Sequence, residues 1–105
     1  MKVAVSATGG SLDSLVSEKF GRCEYFLIVD ADTMKFEAIS NLGSKMESGA
    51  GPKAAETIIN KGAEIVLTGS VGNKAETVLN AANIKIVTGI AGNIKVRDAV
   101  SNYKS

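Results

Sequence analysis

The sequence predicts a small α/β protein whose elements follow the order β-β-β-α-β-α-β-α. Two observations lead to this prediction. The first part of the chain contains short runs rich in β-branched and aromatic residues, and the second part alternates such runs with amphipathic helical stretches. At 105 residues the chain fits a single domain over residues 1–105, because domains most often contain about 100–150 residues.

The first part of the chain predicts one strand followed by a hairpin. Residues 2–6 form the first strand, and the two glycines of the turn at 7–10 permit a sharp bend and a close approach of backbone to a ligand. Residues 11–20 fit either one helical turn or an irregular loop. The β-rich runs 24–30 and 34–40 are separated by a short turn, which predicts an antiparallel pair.

The second part of the chain predicts strands joined by helices, which implies right-handed parallel crossovers. Pro52 suits the first position of a helix, Gly62 suits a helix stop, and Asn73 with Glu76 resembles a capping box. The predicted elements are a helix at 52–61, a strand at 64–67, a helix at 74–82, a strand at 84–87 and a helix at 95–103.

Composition excludes several classes of function. The 12 basic and 11 acidic residues are scattered and give a net charge of +1, so no basic face for nucleic acid is expected. The apolar runs are far shorter than a membrane span and no signal peptide is evident. A single cysteine fits the reducing cytoplasm, and the absence of histidine removes most acid-base triads and common zinc sites. We therefore expect a cytoplasmic protein that is not an enzyme.

The glycine-rich turns predict a binding site for an anion. If the strands pair as predicted, the turns around residues 8, 22, 50, 70 and 90 gather at one sheet edge, where helix N-termini present unpaired N–H groups. Lys53 and Lys74 could add positive charge. Turn geometry alone is the alternative explanation for the glycines. The candidate ligand-binding residues are Thr8, Gly9, Gly10, Arg22, Gly49, Gly51, Gly69, Gly72 and Gly89.

Cys23 is the candidate metal ligand. Beside Arg22 at the start of a strand, its thiolate could be favoured and exposed enough to hold iron. The alternative is a buried, inert thiol. Asp13, Asp30 and Asp32 suggest a two-metal nuclease site as an alternative. Asp30 and Asp32 lie at the predicted hairpin turn on the opposite edge, so a solvated turn explains them better.

The chain resembles the dinitrogenase iron-molybdenum cofactor biosynthesis family over nearly its whole length. The resemblance is carried by Phe-Gly-Arg-Cys-Glu-Tyr-Phe at 20–26, Gly-Ala-Gly-Pro-Lys-Ala-Ala at 49–55 and Thr-Gly-Ser-Val-Gly at 68–72. That family includes NifX-like proteins and the C-terminal part of NifB-like proteins. The resemblance implies a ribonuclease H-like motif with a mixed five-stranded sheet and helices on both faces.

The resemblance also implies a role. Family members carry or hand on iron-molybdenum cofactor or its precursors, so we expect a carrier for an iron-sulfur or iron-molybdenum cluster, with metallocluster assembly proteins as partners. Relatives that carry the cofactor often offer a histidine ligand, and this chain has none. One thiolate cannot complete a four-cysteine site, so the protein is expected as a monomer or a weak homodimer with labile binding. The alternative function is a metal-free regulatory or interaction module for a small anion.

Overall fold

The structure is a computed structural model that describes residues 1–104. Its sheet contains five strands in the spatial order β3-β2-β1-β4-β5. β1 pairs antiparallel with β2 and parallel with β4, so the sheet is mixed, as predicted. The elements are β1 (Lys2–Ala7), β2 (Tyr25–Asp30), β3 (Phe36–Ser40), α1 (Ala50–Asn60), β4 (Ile65–Leu67), α2 (Asn73–Ala81), β5 (Lys85–Val87) and α3 (Val96–Lys104).

Helices cover both faces of the sheet because successive residues of a strand point to opposite sides. Ala4 and Val66 face the side on which α1 and α2 contribute Ile58 and Leu79. The other side contains alternating strand residues such as Val5 and Leu67, with Val96 and Val100 of α3 and Leu12 and Val16 of the preceding segment. The antiparallel hairpin of β2 and β3 is confirmed.

The ambiguous segment at 11–20 forms an irregular loop. The Val16 amide donates to the Ile94 carbonyl at 2.8 Å, and isolated bridges join Ala7 to Val16 and Lys19 to Ser70. These bonds fasten the loop across the carboxyl ends of the strands. Lys19 and its neighbours are thereby placed beside the turn that precedes α2.

Two predictions about helix starts are wrong and one about a helix end is confirmed. Pro52 is the third residue of α1, which begins after Gly49 in the left-handed region at φ 78°. Gly72 precedes α2 without a side-chain cap, so Asn73 lies inside the helix and forms no capping box. Gly62, at φ 79°, ends α1, with its amide bonded to the Ile59 carbonyl at 3.0 Å.

The hairpin turn behaves as a solvated turn. Asp30 Oδ1 accepts a hydrogen bond from the Asp32 amide at 2.9 Å, and this bond holds the pKa of the Asp30 carboxyl below its usual value.

Within residues 1–104, no helix is both long and apolar enough to cross a membrane.

Candidate functional site

A cavity of about 480 Å³ lies where α1 and α2 begin. We call it the helix-terminus pocket. Three chain segments form its walls: the end of the 11–20 loop with the start of the next turn, the first residues of α1, and the turn before α2 with the first residues of that helix. Its lining residues are Lys19, Phe20, Gly21, Arg22, Gly49, Ala50, Gly51, Pro52, Ser70, Gly72, Asn73, Lys74 and Ala75.

Small residues allow the two helix starts to lie side by side. A Cβ placed on Gly51 would lie 3.0 Å from the Cβ of Ala75, and a Cβ placed on Gly21 would lie 3.0 Å from both Cα and N of Gly51. Carbon atoms pack best at about 3.5–4.0 Å, so these distances leave no room for a larger side chain. Gly21, Gly51 and Ala75 therefore bring three backbone segments together at the pocket.

The pocket is rich in N–H donors. In α1 the first helical hydrogen bond runs from the Lys53 amide to the Gly49 carbonyl, and in α2 it runs from the Glu76 amide to the Gly72 carbonyl, each at 3.0 Å. The preceding amides of both helices therefore lack a partner inside the helix. Neither N-terminal cap uses a side chain, and the first turn of α1 has no acidic residue. The first turn of α2 does contain Glu76, but this residue does not line the pocket. Both positive helix ends therefore favour an anion at the pocket.

Side chains add positive charge. Lys19, Arg22 and Lys74 line the pocket, and the lining contains no Asp or Glu. Lys53 lies elsewhere, with its Nζ 3.7 Å from Glu56. The Arg22 Nη1 donates to the Ser44 carbonyl at 3.0 Å and also to the Met46 carbonyl. The pocket therefore combines three cationic side chains with two helix N-termini.

The expectation that the Cys23 thiolate is exposed is wrong. The side chain is only 2% exposed, its thiol donates to the Phe20 carbonyl at 3.3 Å, and Asn41 Nδ2 lies 3.7 Å from Sγ. Burial raises the pKa of the thiol to about 12, although the hydrogen bond from Asn41 opposes the shift. The structure contains the buried thiol that the sequence analysis gave as the alternative. A role of Cys23 as an iron ligand stays a prediction that this burial does not favour.

The predicted site residues divide into three groups. Arg22, Gly49, Gly51 and Gly72 line the helix-terminus pocket. Gly69 and Gly89 line a neighbouring cavity of about 320 Å³ together with Glu18. Thr8, Gly9 and Gly10 line neither of these cavities, so neither cavity extends to the turn near residue 8. A Cβ on Gly9 would meet Ser14 Oγ at 2.7 Å, and one on Gly10 would meet Ala38 Cβ at 3.6 Å.

Gly69 has a packing role. A Cβ at this position would lie 2.5 Å from the carbonyl oxygen of Glu18 and 2.6 Å from its Cα. The backbone of the 11–20 loop therefore occupies the space that a ligand would need. Glu18 also accepts a hydrogen bond from the Gly92 amide through Oε2 at 2.7 Å, which occupies a donor of the 89–92 turn.

Sequence reasoning missed Lys19 and Asn41. Asn41 is 4% exposed, and its amide nitrogen donates to the carbonyls of Gly21 at 3.1 Å and Cys23 at 3.0 Å. Its Oδ1 accepts from the Gly43 amide at 3.2 Å. Asn41 thereby fixes the 21–23 segment that forms one pocket wall. An isolated asparagine after a strand gave no signal of this role.

Comparisons with known proteins agree with this architecture. The family model described as dinitrogenase iron-molybdenum cofactor matches residues 1–105. The apo form of the orange protein from Desulfovibrio gigas is 41% identical with a TM-score of 0.94, over 98% of this chain and 86% of that one. A Thermotoga protein provisionally described as NifB is 32% identical with a TM-score of 0.83, again over 98% of this chain and 86% of that one. No curated protein matches the chain.

Proposed function

This chain belongs to the dinitrogenase iron-molybdenum cofactor family, and we propose that it binds a compact anionic metal-sulfur cluster in the helix-terminus pocket. The cluster is of the iron-sulfur or iron-molybdenum type, and the protein acts as a non-catalytic carrier that works with metallocluster assembly proteins. The observation that supports this proposal best is the convergence of two helix N-termini and Arg22 on one pocket whose lining contains no acidic residue.

The available residues favour a cluster held without covalent bonds from the protein. Protein-ligated iron-sulfur clusters need several thiolates, and Cys23 is buried with a raised pKa. Residues 1–104 contain no group of three or more His, Cys, Asp or Glu side chains placed to hold a metal ion. Backbone amides and cationic side chains instead match the sulfide surface of an intact anionic cluster.

Such binding suits a carrier. An anion held by charge and N–H donors leaves without breaking a metal-thiolate bond, so release needs only competition for those donors. The affinity should fall as salt rises, because exposed charges are screened over about 8–10 Å at 0.10–0.15 M ionic strength. A receiving protein with thiolate ligands could then take the cluster by forming the stronger bonds.

A metal-free module for a small phosphate or carboxylate is the second candidate. Within residues 1–104 no three His, Cys, Asp or Glu side chains are grouped to hold a metal ion, which favours this candidate as well. The amide donors of the pocket can bind any compact anion. The two functions differ in the preferred ligand. A cluster carrier prefers a sulfide-rich metal anion to phosphate, whereas a regulatory module prefers phosphate or a carboxylate.

Equilibrium titration under anaerobic conditions tests the proposal. Tetrathiomolybdate and inorganic phosphate serve as probes for the wild type, Lys74→Gln, Cys23→Ala and the control Lys35→Gln, whose exposed lysine follows the hairpin turn. We expect tighter binding of tetrathiomolybdate, about a 2- to 10-fold loss in Lys74→Gln, from roughly 0.4–1.4 kcal/mol, and no change in the other two variants. Loss in Cys23→Ala with full binding in Lys74→Gln would contradict the pocket assignment, and preference for phosphate would favour the second candidate.

A further inference from the structure

We propose that Arg22 couples anion binding in the helix-terminus pocket to closure of the loop at residues 41–49. The inference rests on the proposed function, because it assigns the regulation of the same pocket. Within residues 1–104, Arg22 is the one pocket residue whose side chain also holds this loop through hydrogen bonds.

The guanidinium of Arg22 has donors to spare. Its Nη1 serves both loop carbonyls, those of Ser44 and Met46. A guanidinium carries five N–H groups in a rigid planar fork. Nε and Nη2 therefore keep three N–H groups that make no hydrogen bond within residues 1–104. An anion in the pocket can engage these groups while Nη1 stays on the loop.

The loop depends on Arg22 beyond its first residues. Asn41 is buried and anchors the beginning of the loop. The amide of Ser44 bonds to the Asn41 carbonyl and that of Met46 to the Gly43 carbonyl, each at 3.1 Å, so both bonds stay within the loop. In the described chain, the two hydrogen bonds from Arg22 are those that tie residues 44–48 to the rest of the protein.

The exposure of the loop makes this tie sensitive to ligand. Arg22 is solvent-exposed, and Leu42 and Met46 are 83% and 41% exposed. Exposed hydrogen bonds from a long side chain stabilise weakly because the side chain loses rotamer freedom on forming them. An anion that fixes Arg22 in the same orientation removes part of that cost. Anion binding and loop closure should therefore stabilise each other, and the coupling must be reciprocal.

Closure also fixes a surface that a neighbouring protein can recognise. The loop exposes Leu42 and Met46, and the methyl carbon of Met46 lies 3.7 Å from the position of a Cβ on Gly49, which lines the pocket. When the loop is fixed, these apolar side chains keep one arrangement, whereas a loose loop samples many. A loaded protein thus differs from an empty one in a surface outside the pocket.

Limited trypsin digestion tests the coupling. Lys45 lies in the loop and is exposed, and exposed Lys35 after the hairpin turn is an internal control for protease activity. The measured quantity is the rate of cleavage after Lys45 divided by that after Lys35, with and without saturating tetrathiomolybdate. We expect the ratio to fall about 5-fold or more, since typical couplings span roughly 5- to 150-fold. Hydrogen exchange of the amides at 44–48 in the wild type gives a second readout.

The Arg22→Lys variant separates charge from the planar fork. It keeps a positive charge at the pocket and loses the fork that holds both carbonyls and the anion together. We expect a higher ratio without anion and no response to it. Titration first establishes that the wild-type protein is saturated with anion. If cleavage after Lys45 is then unchanged or faster, the coupling alone is overturned. Absence of tetrathiomolybdate and phosphate binding would overturn both the coupling and the proposed function.

Discussion

The contact between Gly21 and the start of α1 gives the most specific prediction about the pocket. In Gly21→Ala the new Cβ would lie 3.0 Å from Cα and N of Gly51 and 3.4 Å from the carbonyl carbon of Ala50. All three are backbone atoms, so the collision is relieved only if α1 or the 21–23 segment moves by about 0.5 Å or more. Overpacking of this kind costs about 1–3 kcal/mol.

A smaller effect opposes that cost. Replacing glycine by alanine restricts the unfolded chain and stabilises the folded state by about 0.4–1 kcal/mol where the backbone is compatible. The net expected loss for Gly21→Ala is therefore roughly 1–2 kcal/mol, which corresponds to a fall in Tm of about 4–16 °C for a domain of this size. Displacement of the α1 start should also weaken binding of tetrathiomolybdate.

Gly72→Ala is the matched control. A Cβ at Gly72 meets no atom within 4 Å, and the residue is extended at φ −71° and ψ 158°. The entropic gain and the loss of a favoured helix cap nearly cancel, so the free energy of unfolding should stay within about 0.5 kcal/mol. Urea denaturation and anion titration of both variants provide the test. A Gly21→Ala protein as stable as the control, with unchanged affinity, would refute the packing argument.

Two further predictions concern the residues beneath the pocket. Asn41→Ala should lower the free energy of unfolding by about 2–4 kcal/mol, because two carbonyls and one amide lose a buried partner. Urea denaturation measures this loss, and a midpoint equal to that of the wild type would contradict the prediction. The pKa of the Cys23 thiol is about 12 in the folded protein and 9.0 in the unfolded chain. The preference of the fold for the protonated thiol therefore contributes fully to stability below pH 9, and this contribution is lost as the pH rises toward 12. Between pH 8 and 10 the wild type should lose about 1.4 kcal/mol more than Cys23→Ala. Equal losses in urea unfolding would show that the thiol titrates normally.

The sequence predicted the order of elements well because the patterns are local. Alternating apolar residues and turn residues define the strands, and the αL glycine at Gly62 defines a helix end. The starts of α1 and α2 were misplaced because Gly49 and Gly72 cap these helices without a side-chain bond. The ribonuclease H-like assignment stays a prediction.

The site was predicted only in part because burial and close approach depend on tertiary packing. The sequence correctly placed Arg22, Gly49, Gly51 and Gly72 at one edge. It could not show that Glu18 fills the space beside Gly69 or that Cys23 points into the core. Both facts depend on the irregular 11–20 loop and the contacts around Asn41, which carry no periodic signal.

Amide chemical-shift mapping tests the central claim most directly. Tetrathiomolybdate is added in steps to ¹⁵N-labelled protein, and the shifts of all backbone amides are followed by NMR. Binding at the helix-terminus pocket should shift the amides of Ala50, Gly51, Asn73 and Lys74 along one saturable curve. Saturable shifts centred instead on Gly89 and Ala91, with the two helix starts unaffected, would contradict the account.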